Sequence, residues 1–140
     1  MDILIVEDNK ELADLLCDFL RAENYTVSAV QTAEKALLLY ERYGARLVVL
    51  DLMLPDRDGF YVLEKIRRSN NTPILIVSAK TGKEDKLNGL NLGADDYIEK
   101  PCPYSPSKAK ADQIPSWSFP ALFRFCKRYD LPYLCGYFHR

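Results

Sequence analysis

The sequence has no apolar run approaching the roughly 20 residues that a bilayer-spanning helix needs, so a transmembrane role is not expected. It also has no charged leader followed by an apolar stretch and a small-residue cleavage site, so no signal peptide is read and the expected compartment is the cytoplasm. The four cysteines, Cys17, Cys102, Cys126 and Cys135, include no C-x-x-C pair. That absence argues against a zinc site built from Cys126, Cys135 and the single histidine, His139. In a cytoplasmic protein these cysteines are expected as free thiols. Cys17 lies in an amphipathic stretch and is expected to act as a small apolar filler of the core. No internal repeat is visible, and no excess of one charge marks the whole chain: 19 Lys and Arg stand against 20 Asp and Glu.

The near-neutral total hides a division. Residues 1–101 hold 13 basic and 18 acidic side chains, a net of −5, whereas residues 102–140 hold six and two, a net of +4. Six of the eight prolines and nine of the aromatics also fall after Lys100. The expected organisation is one globular domain over 1–101 and a Pro- and aromatic-rich tail over 102–140. Within the tail, Phe119, Leu122, Phe123, Cys126 and Tyr129 share one helical face, with Ser118 as a candidate N-cap and Pro120 acceptable in the first turn.

In the first hundred residues, short runs rich in Ile, Val and Leu alternate with helical spacing. The runs 2–6, 26–30, 46–50, 73–77 and 96–98 are expected strands, most of them apolar enough to be buried on both faces. Between them, Leu12, Leu15, Leu16, Phe19 and Leu20 predict a first helix capped by Asn9. Ala36, Leu37, Tyr40 and Tyr43 predict a second, capped by Thr32 and ended at Gly44. Phe60, Leu63 and Ile66 predict a third, closed by Ser69-Asn70-Asn71, and Leu87 and Leu90 a fourth, closed by Gly93. Pro55-Asp56-Arg57-Asp58-Gly59 reads as a tight turn, with Gly59 expected in a backbone conformation closed to other residues. A repeated β-α pattern with short connections implies an α/β fold, a parallel sheet with helices on both faces.

The candidate functional residues stand where the strands run out. Glu7 and Asp8 come after Ile3-Leu4-Ile5-Val6, Asp51 after Leu47-Val48-Val49-Leu50, and Lys100 after Tyr97-Ile98-Glu99. In an open parallel sheet such strand ends lie side by side, and ligands bind there. Carboxylates converging on one crevice suit a hard cation with oxygen ligands. Any one of these acids alone would read as a loop or helix-capping residue; it is the set that points to a site.

Four strings in order, I-L-I-V-E-D-N at the start, V-V-L-D-L-M-L-P-D-R-D-G-F at 48–60, P-I-L-I-V-S-A-K at 73–80 and G-A-D-D-Y-I-E-K-P at 93–101, make residues 1–101 resemble a response-regulator receiver domain of two-component signalling, of the OmpR/PhoB type. The resemblance implies a flavodoxin-like, doubly wound sheet of five strands in the order 2-1-3-4-5. It implies that Asp51 accepts a phosphoryl group from a sensor histidine kinase. Mg²⁺ would be held by Asp8, Asp51 and the Met53 carbonyl, with Glu7 acting through water or as a further ligand. Lys100 would pair with Asp51 and then with the phosphoryl oxygens, its aim set by a cis bond to Pro101. The Ser78 hydroxyl would bond the phosphoryl group, and Tyr97 would swing inward as the partner of the switch. Met53 and Lys80 would tune hydrolysis of the acyl phosphate. Such a domain is a phosphoacceptor, not an enzyme acting on a separate substrate, although it catalyses its own phosphotransfer and dephosphorylation.

The chain departs from the family pattern after Pro101. Pro103, Pro106 and Pro115 interrupt the spacing of the family's fifth helix, and no DNA-binding winged helix is read in residues 102–140. The tail is therefore expected to be an extension unrelated to the family, frame-altered or otherwise, with output altered and no direct DNA binding. It would either cover the sheet through 119–129 or join two copies into a homodimer. The competing functional classes are a receiver-like interaction module without phosphotransfer and an Mg²⁺-dependent hydrolase; no substrate pocket beyond the acids is read for the latter.

Overall fold

The computed structural model describes residues 1–22, 24–78 and 83–99. Lys80, Lys100, Pro101 and the whole of 102–140, with its expected helix at 119–129 and its three cysteines, lie outside the described residues.

The strands are β1 (Ile3–Val6), β2 (Val27–Val30), β3 (Leu47–Leu50), β4 (Ile74–Ser78) and β5 (Asp96–Glu99). Each lies within a residue or so of its expected position. All pair in parallel, and the sheet order is β2-β1-β3-β4-β5. The helices are α1 (Lys10–Ala22), α2 (Ala33–Tyr43), α3 (Gly59–Arg67) and α4 (Lys83–Asn91).

Alternation along the central strands divides the core in two. Ile3, Ile5, Leu47, Val49, Leu75 and Val77 point to the α1 side, where Leu12, Leu16, Cys17 and Leu20 meet them. Leu4, Val6, Val48, Leu50, Ile74 and Ile76 point to the other side, against Ala33, Ala36, Val62, Leu63 and Ile66. This is why β1, β3 and β4 are buried throughout, and why their runs are apolar on both faces. Full burial of an Ile or Leu side chain contributes about 1.5–3 kcal/mol, so these three strands anchor the fold. The edge strand β2 (Val-Ser-Ala-Val) is only partly buried. Cys17 sits in the first cluster, and burial pushes its thiol pKa up, so it behaves as the apolar filler its position suggested.

Helix ends obey local chemistry. The Asn9 side chain accepts from Leu12 N–H at 3.2 Å, and Thr32 accepts from Lys35 N–H at 3.2 Å. Gly44 and Gly93 stop α2 and α4 at φ of 67° and 109°, values that favour glycine. Two expected stripes differ in the structure. Tyr43 is exposed at the end of α2, and Leu87 and Leu90 are exposed on α4. Helix α4 instead turns Gly89 to the sheet, where a Cβ would lie 2.8 Å from Ile76 Cδ1. Close approach through a residue without a side chain rolls the two leucines outward, about 100° per residue away from the contact.

Candidate functional site

The sheet order reverses between β1 and β3, because the chain leaves β1 toward β2 and later returns to β1's other side. No helix crosses the carboxyl ends of the strands at such a switch point, and a crevice is left there. Glu7 and Asp8 come directly after β1, and Asp51 directly after β3, so the acids flank that crevice from both sides. Backbone bonds fix them: Asp51 N–H donates to Val6 O at 2.9 Å, and Glu7 N–H to Val30 O at 3.0 Å. The start of α1 at Lys10, directly after the Asn9 cap, prevents Glu7-Asp8 from drifting away.

The result is a cluster in which one carboxylate oxygen from each of Glu7, Asp8 and Asp51 lies within 4.8 Å of the others. Glu7 and Asp51 are buried and Asp8 is exposed. Among the described residues, the buried polar or charged side chains are Glu7, Asp51 and Ser78, and all three belong to this edge of the sheet. Burying carboxylates is costly unless a counter-charge or donors meet them, so their concentration here marks the site. Three oxygen donors that converge from two directions, two of them shielded from water, fit a small hard cation such as Mg²⁺, which keeps several waters of its own.

The loop after β3 is closely tied. Asp51 Oδ1 accepts from Met53 N–H at 3.0 Å, Met53 pairs antiparallel with Asp58, and Gly59 N–H donates to Leu52 O at 2.9 Å. Asp58 then caps α3, accepting from Phe60 N–H at 3.0 Å. The Met53 side chain is exposed, which leaves its main chain to shape the site. Gly59 is needed here for space, not for the special backbone conformation expected of it: among the described residues the positive-φ glycines are Gly44 and Gly93. A Cβ at Gly59 would lie 2.4 Å from Asp51 O and 2.6 Å from Leu52 Cα. Since both neighbours are backbone, Gly59→Ala is expected to cost about 3 kcal/mol, at the upper end of overpacking, and to displace Asp51. Urea unfolding measures the first effect, and Mg²⁺ titration the second.

Ser78 ends β4 fully buried, and β4 lies beside β3. It pairs in register with Glu99, the last residue of β5, so β5 reaches the same edge. Tyr97, paired with Ile76, is buried in the cluster on the α3 side, so its ring, expected to swing inward, is already inward here. Lys100 lies outside the described residues. A shallow groove between α2 and α3, lined in part by Leu37, Tyr40, Tyr43, Tyr61 and Lys65, includes none of the acids.

Asp56 was legible in the sequence only as a turn residue. Its carboxylate accepts from Ala33 N–H at 2.9 Å and from Glu34 N–H at 3.0 Å, at the start of α2. The Ala33 amide foremost holds the Asp56 carboxyl below the usual carboxylate range; burial opposes it, and the Glu34 amide and the backbone amides of Asp56 and Arg57 add to the lowering. Because the folded value is the lower one, this contribution to stability is complete above the ordinary Asp pKa and is lost as pH falls through the folded value.

Comparison with known proteins bears on the same residues. The sequence pattern of the response regulator receiver domain matches residues 3–110, which reaches past Pro101. Regulatory protein VanRc of Enterococcus gallinarum is 44% identical over 99 residues, covering 71% of this chain and 43% of the relative. Transcriptional regulatory protein BaeR of Escherichia coli O6:H1 is 44% identical over 109 residues, 78% of this chain and 45% of the relative. The chain thus spans less than half the length of these curated relatives. Among solved structures, a CheY-like response regulator receiver domain protein from Methanospirillum hungatei superposes with a TM-score of 0.74 at 28% identity, covering 92% of this chain and 93% of the other.

Proposed function

Because the chain belongs to the response regulator receiver domain family, we propose that Asp51 is its phosphoacceptor and that the donor is the phosphohistidine of a sensor kinase. A carboxylate oxygen of Asp51 attacks the phosphorus in line. The new O–P bond forms as the P–N bond to the donor breaks, and the departing imidazole nitrogen keeps the electron pair and takes up a proton. Such a transfer depends on positioning and on neutralising phosphoryl charge, more than on covalent chemistry by the protein.

Glu7, Asp8, Asp51 and the Met53 carbonyl would hold Mg²⁺, which when bound supplies the positive charge that lets two anions approach. Lys100 contributes a second positive point toward the phosphoryl oxygens. The Ser78 hydroxyl donates to the phosphoryl group, and Tyr97, already packed inward, stabilises the arrangement in which Ser78 has moved toward it. A new charge at Asp51 then biases a two-state element that partners sense, whether a second copy or another protein. Water later hydrolyses the acyl phosphate in the same site. The cytoplasm is the compartment in which a kinase of this class would meet it. Among the described residues no helix is long and apolar enough to cross a membrane.

The observation that carries this reading is the convergence of Glu7, Asp8 and buried Asp51 within 4.8 Å. The test is incubation of the full chain with acetyl phosphate and Mg²⁺, then intact mass and peptide mapping. One phosphoryl group on Asp51 is expected, and chelation with EDTA should reduce it to background. Incorporation that persists in EDTA, or that maps to another residue, would count against the proposal.

A further inference from the structure

We propose that Asp56 is a positioning residue for the metal site, latching the loop that carries Met53 to the start of α2. The inference rests on the Mg²⁺ role given above to Glu7, Asp8, Asp51 and the Met53 carbonyl. The bonds at Asp51–Met53, Met53–Asp58 and Leu52–Gly59 close the base of the loop. None of these three bonds ties the tip, Leu54 to Arg57, to the body of the protein. Leu54 packs against the core cluster on the α3 side and Arg57 lies over the Tyr61 ring, and Asp56 adds the tip's hydrogen-bonded tie to α2, using both carboxylate oxygens on amides 23 and 22 residues earlier in the chain.

The other end of the latch is itself tied to the site. Helix α2 begins just after β2, whose last residue, Val30, accepts the Glu7 N–H. The connected path therefore runs from Glu7 through Val30 to Ala33 and Glu34, across to Asp56, and back through Met53 to Asp51. It passes through two of the three acids, Glu7 and Asp51, and Asp56 is the one side chain in it that joins elements distant in sequence. Capping by itself does not require such a residue. Thr32, next to the helix start, already serves Lys35, and a local side chain is the common solution for orphan amides. A carboxylate brought from the loop after β3 does something a local cap cannot: it holds the loop that carries Met53 against the start of α2, while the β1–β3 backbone pairing sets the spacing of the acids. Residues that orient metal-binding groups in this indirect way commonly alter affinity by tenfold or more.

The experiment is calorimetric titration of Mg²⁺ into the full chain, compared among wild type, Asp56→Ala, Asp56→Asn and Glu34→Gln, with thermal unfolding of each. Asp56→Ala is expected to raise the Mg²⁺ dissociation constant about tenfold. Asp56→Asn keeps one acceptor oxygen and should give a smaller rise, which also secures the test if the alanine variant does not fold. Glu34→Gln removes a charge beside the latch without removing the latch, and should bind as wild type does. At saturating Mg²⁺ the rate of phosphorylation by acetyl phosphate should recover in both Asp56 variants, because the defect lies in metal binding. Unchanged affinity in Asp56→Ala and Asp56→Asn, with only a lower melting temperature, would reduce Asp56 to a helix cap and overturn the proposal. Equal weakening in Glu34→Gln would overturn it too, by assigning the effect to bulk charge. Failure of the wild type to bind Mg²⁺ saturably would instead sink the metal role on which the inference stands.

Discussion

Replacing Asp51 by asparagine is expected to abolish phosphorylation by acetyl phosphate in Mg²⁺, with no phosphoryl group detected above background. The substitution isolates the chemistry. Asparagine has nearly the same shape, and its carbonyl oxygen can still accept the Met53 N–H that now meets Asp51 Oδ1 at 3.0 Å. What it lacks is the anionic oxygen that attacks phosphorus. The same change should act on stability in the opposite direction. Carboxylate charges held within 4.8 Å of one another repel by about 3 kcal/mol at an effective dielectric constant near 20, less where solvent reaches Asp8 and where donors such as the Met53 N–H meet Asp51. Without Mg²⁺, Asp51→Asn should therefore melt at a higher temperature than the wild type, and added Mg²⁺ should stabilise it little. Acyl phosphate formation in Asp51→Asn would show that another residue is the acceptor. A lower melting temperature in EDTA would show that the cluster is not repulsive.

A loss of stability as large as that of Gly59→Ala is expected from Arg67→Ala, at the opposite edge of the sheet. Arg67 Nε donates to Gly93 O at 2.8 Å, Nη1 to Thr72 O at 2.6 Å, and Nη2 to Asp95 Oδ2 at 2.7 Å. Asp95 Oδ2 also accepts the Ile74 N–H at 2.8 Å. One guanidinium thus joins the end of α3 to the residues entering β4 and β5. Both partners of the ion pair are largely shielded, with side-chain exposures of 17% and 26%. Truncation would remove the guanidinium donor from two backbone carbonyls and the counter-charge from Asp95, which keeps the Ile74 N–H, at a cost of about 3 kcal/mol. Lysine should recover only part of this, since one ammonium cannot reproduce the planar fork. Urea unfolding monitored by circular dichroism measures the effect. Because the network lies at the strand starts and the acids at the strand ends, Mg²⁺ affinity of the folded Arg67→Ala protein should stay within about twofold of wild type, as distant sites act independently. A stability change below about 1 kcal/mol would place Arg67 among ordinary surface cations.

Arg67 and Asp56 share the property that hid them from sequence reasoning. The acid that pairs with Arg67 lies 28 residues away, and the first amide that Asp56 meets lies 23 residues away. Nothing in R-R-S-N or P-D-R-D-G names the acceptor or donor they will meet. Gly59 shows a related limit. A glycine after Asp58 suggested unusual torsion angles, whereas its use is to let α3 start against the Asp51 carbonyl. On α4 the apolar spacing of Leu87 and Leu90 suggested a buried stripe, but the helix meets the sheet through Gly89, a contact that hydropathy does not register.

Local order was legible for a physical reason: it is written in neighbouring residues. Runs of Ile, Val and Leu make strands, Asn9 and Thr32 satisfy amides three residues ahead, and Gly44 and Gly93 take torsion angles that stop helices. From these, together with the recurrence of acids after strands, the amino-acid order alone determined the parallel α/β architecture and the identity of the acids at positions 7, 8 and 51. What it did not determine was the enclosure around them: which loop is tied to which helix, which glycine makes room, and which arginine joins α3 to the strand starts. Those depend on surfaces meeting across many residues of chain. Only the packed tertiary structure, where each buried polar group must find a partner, decided them.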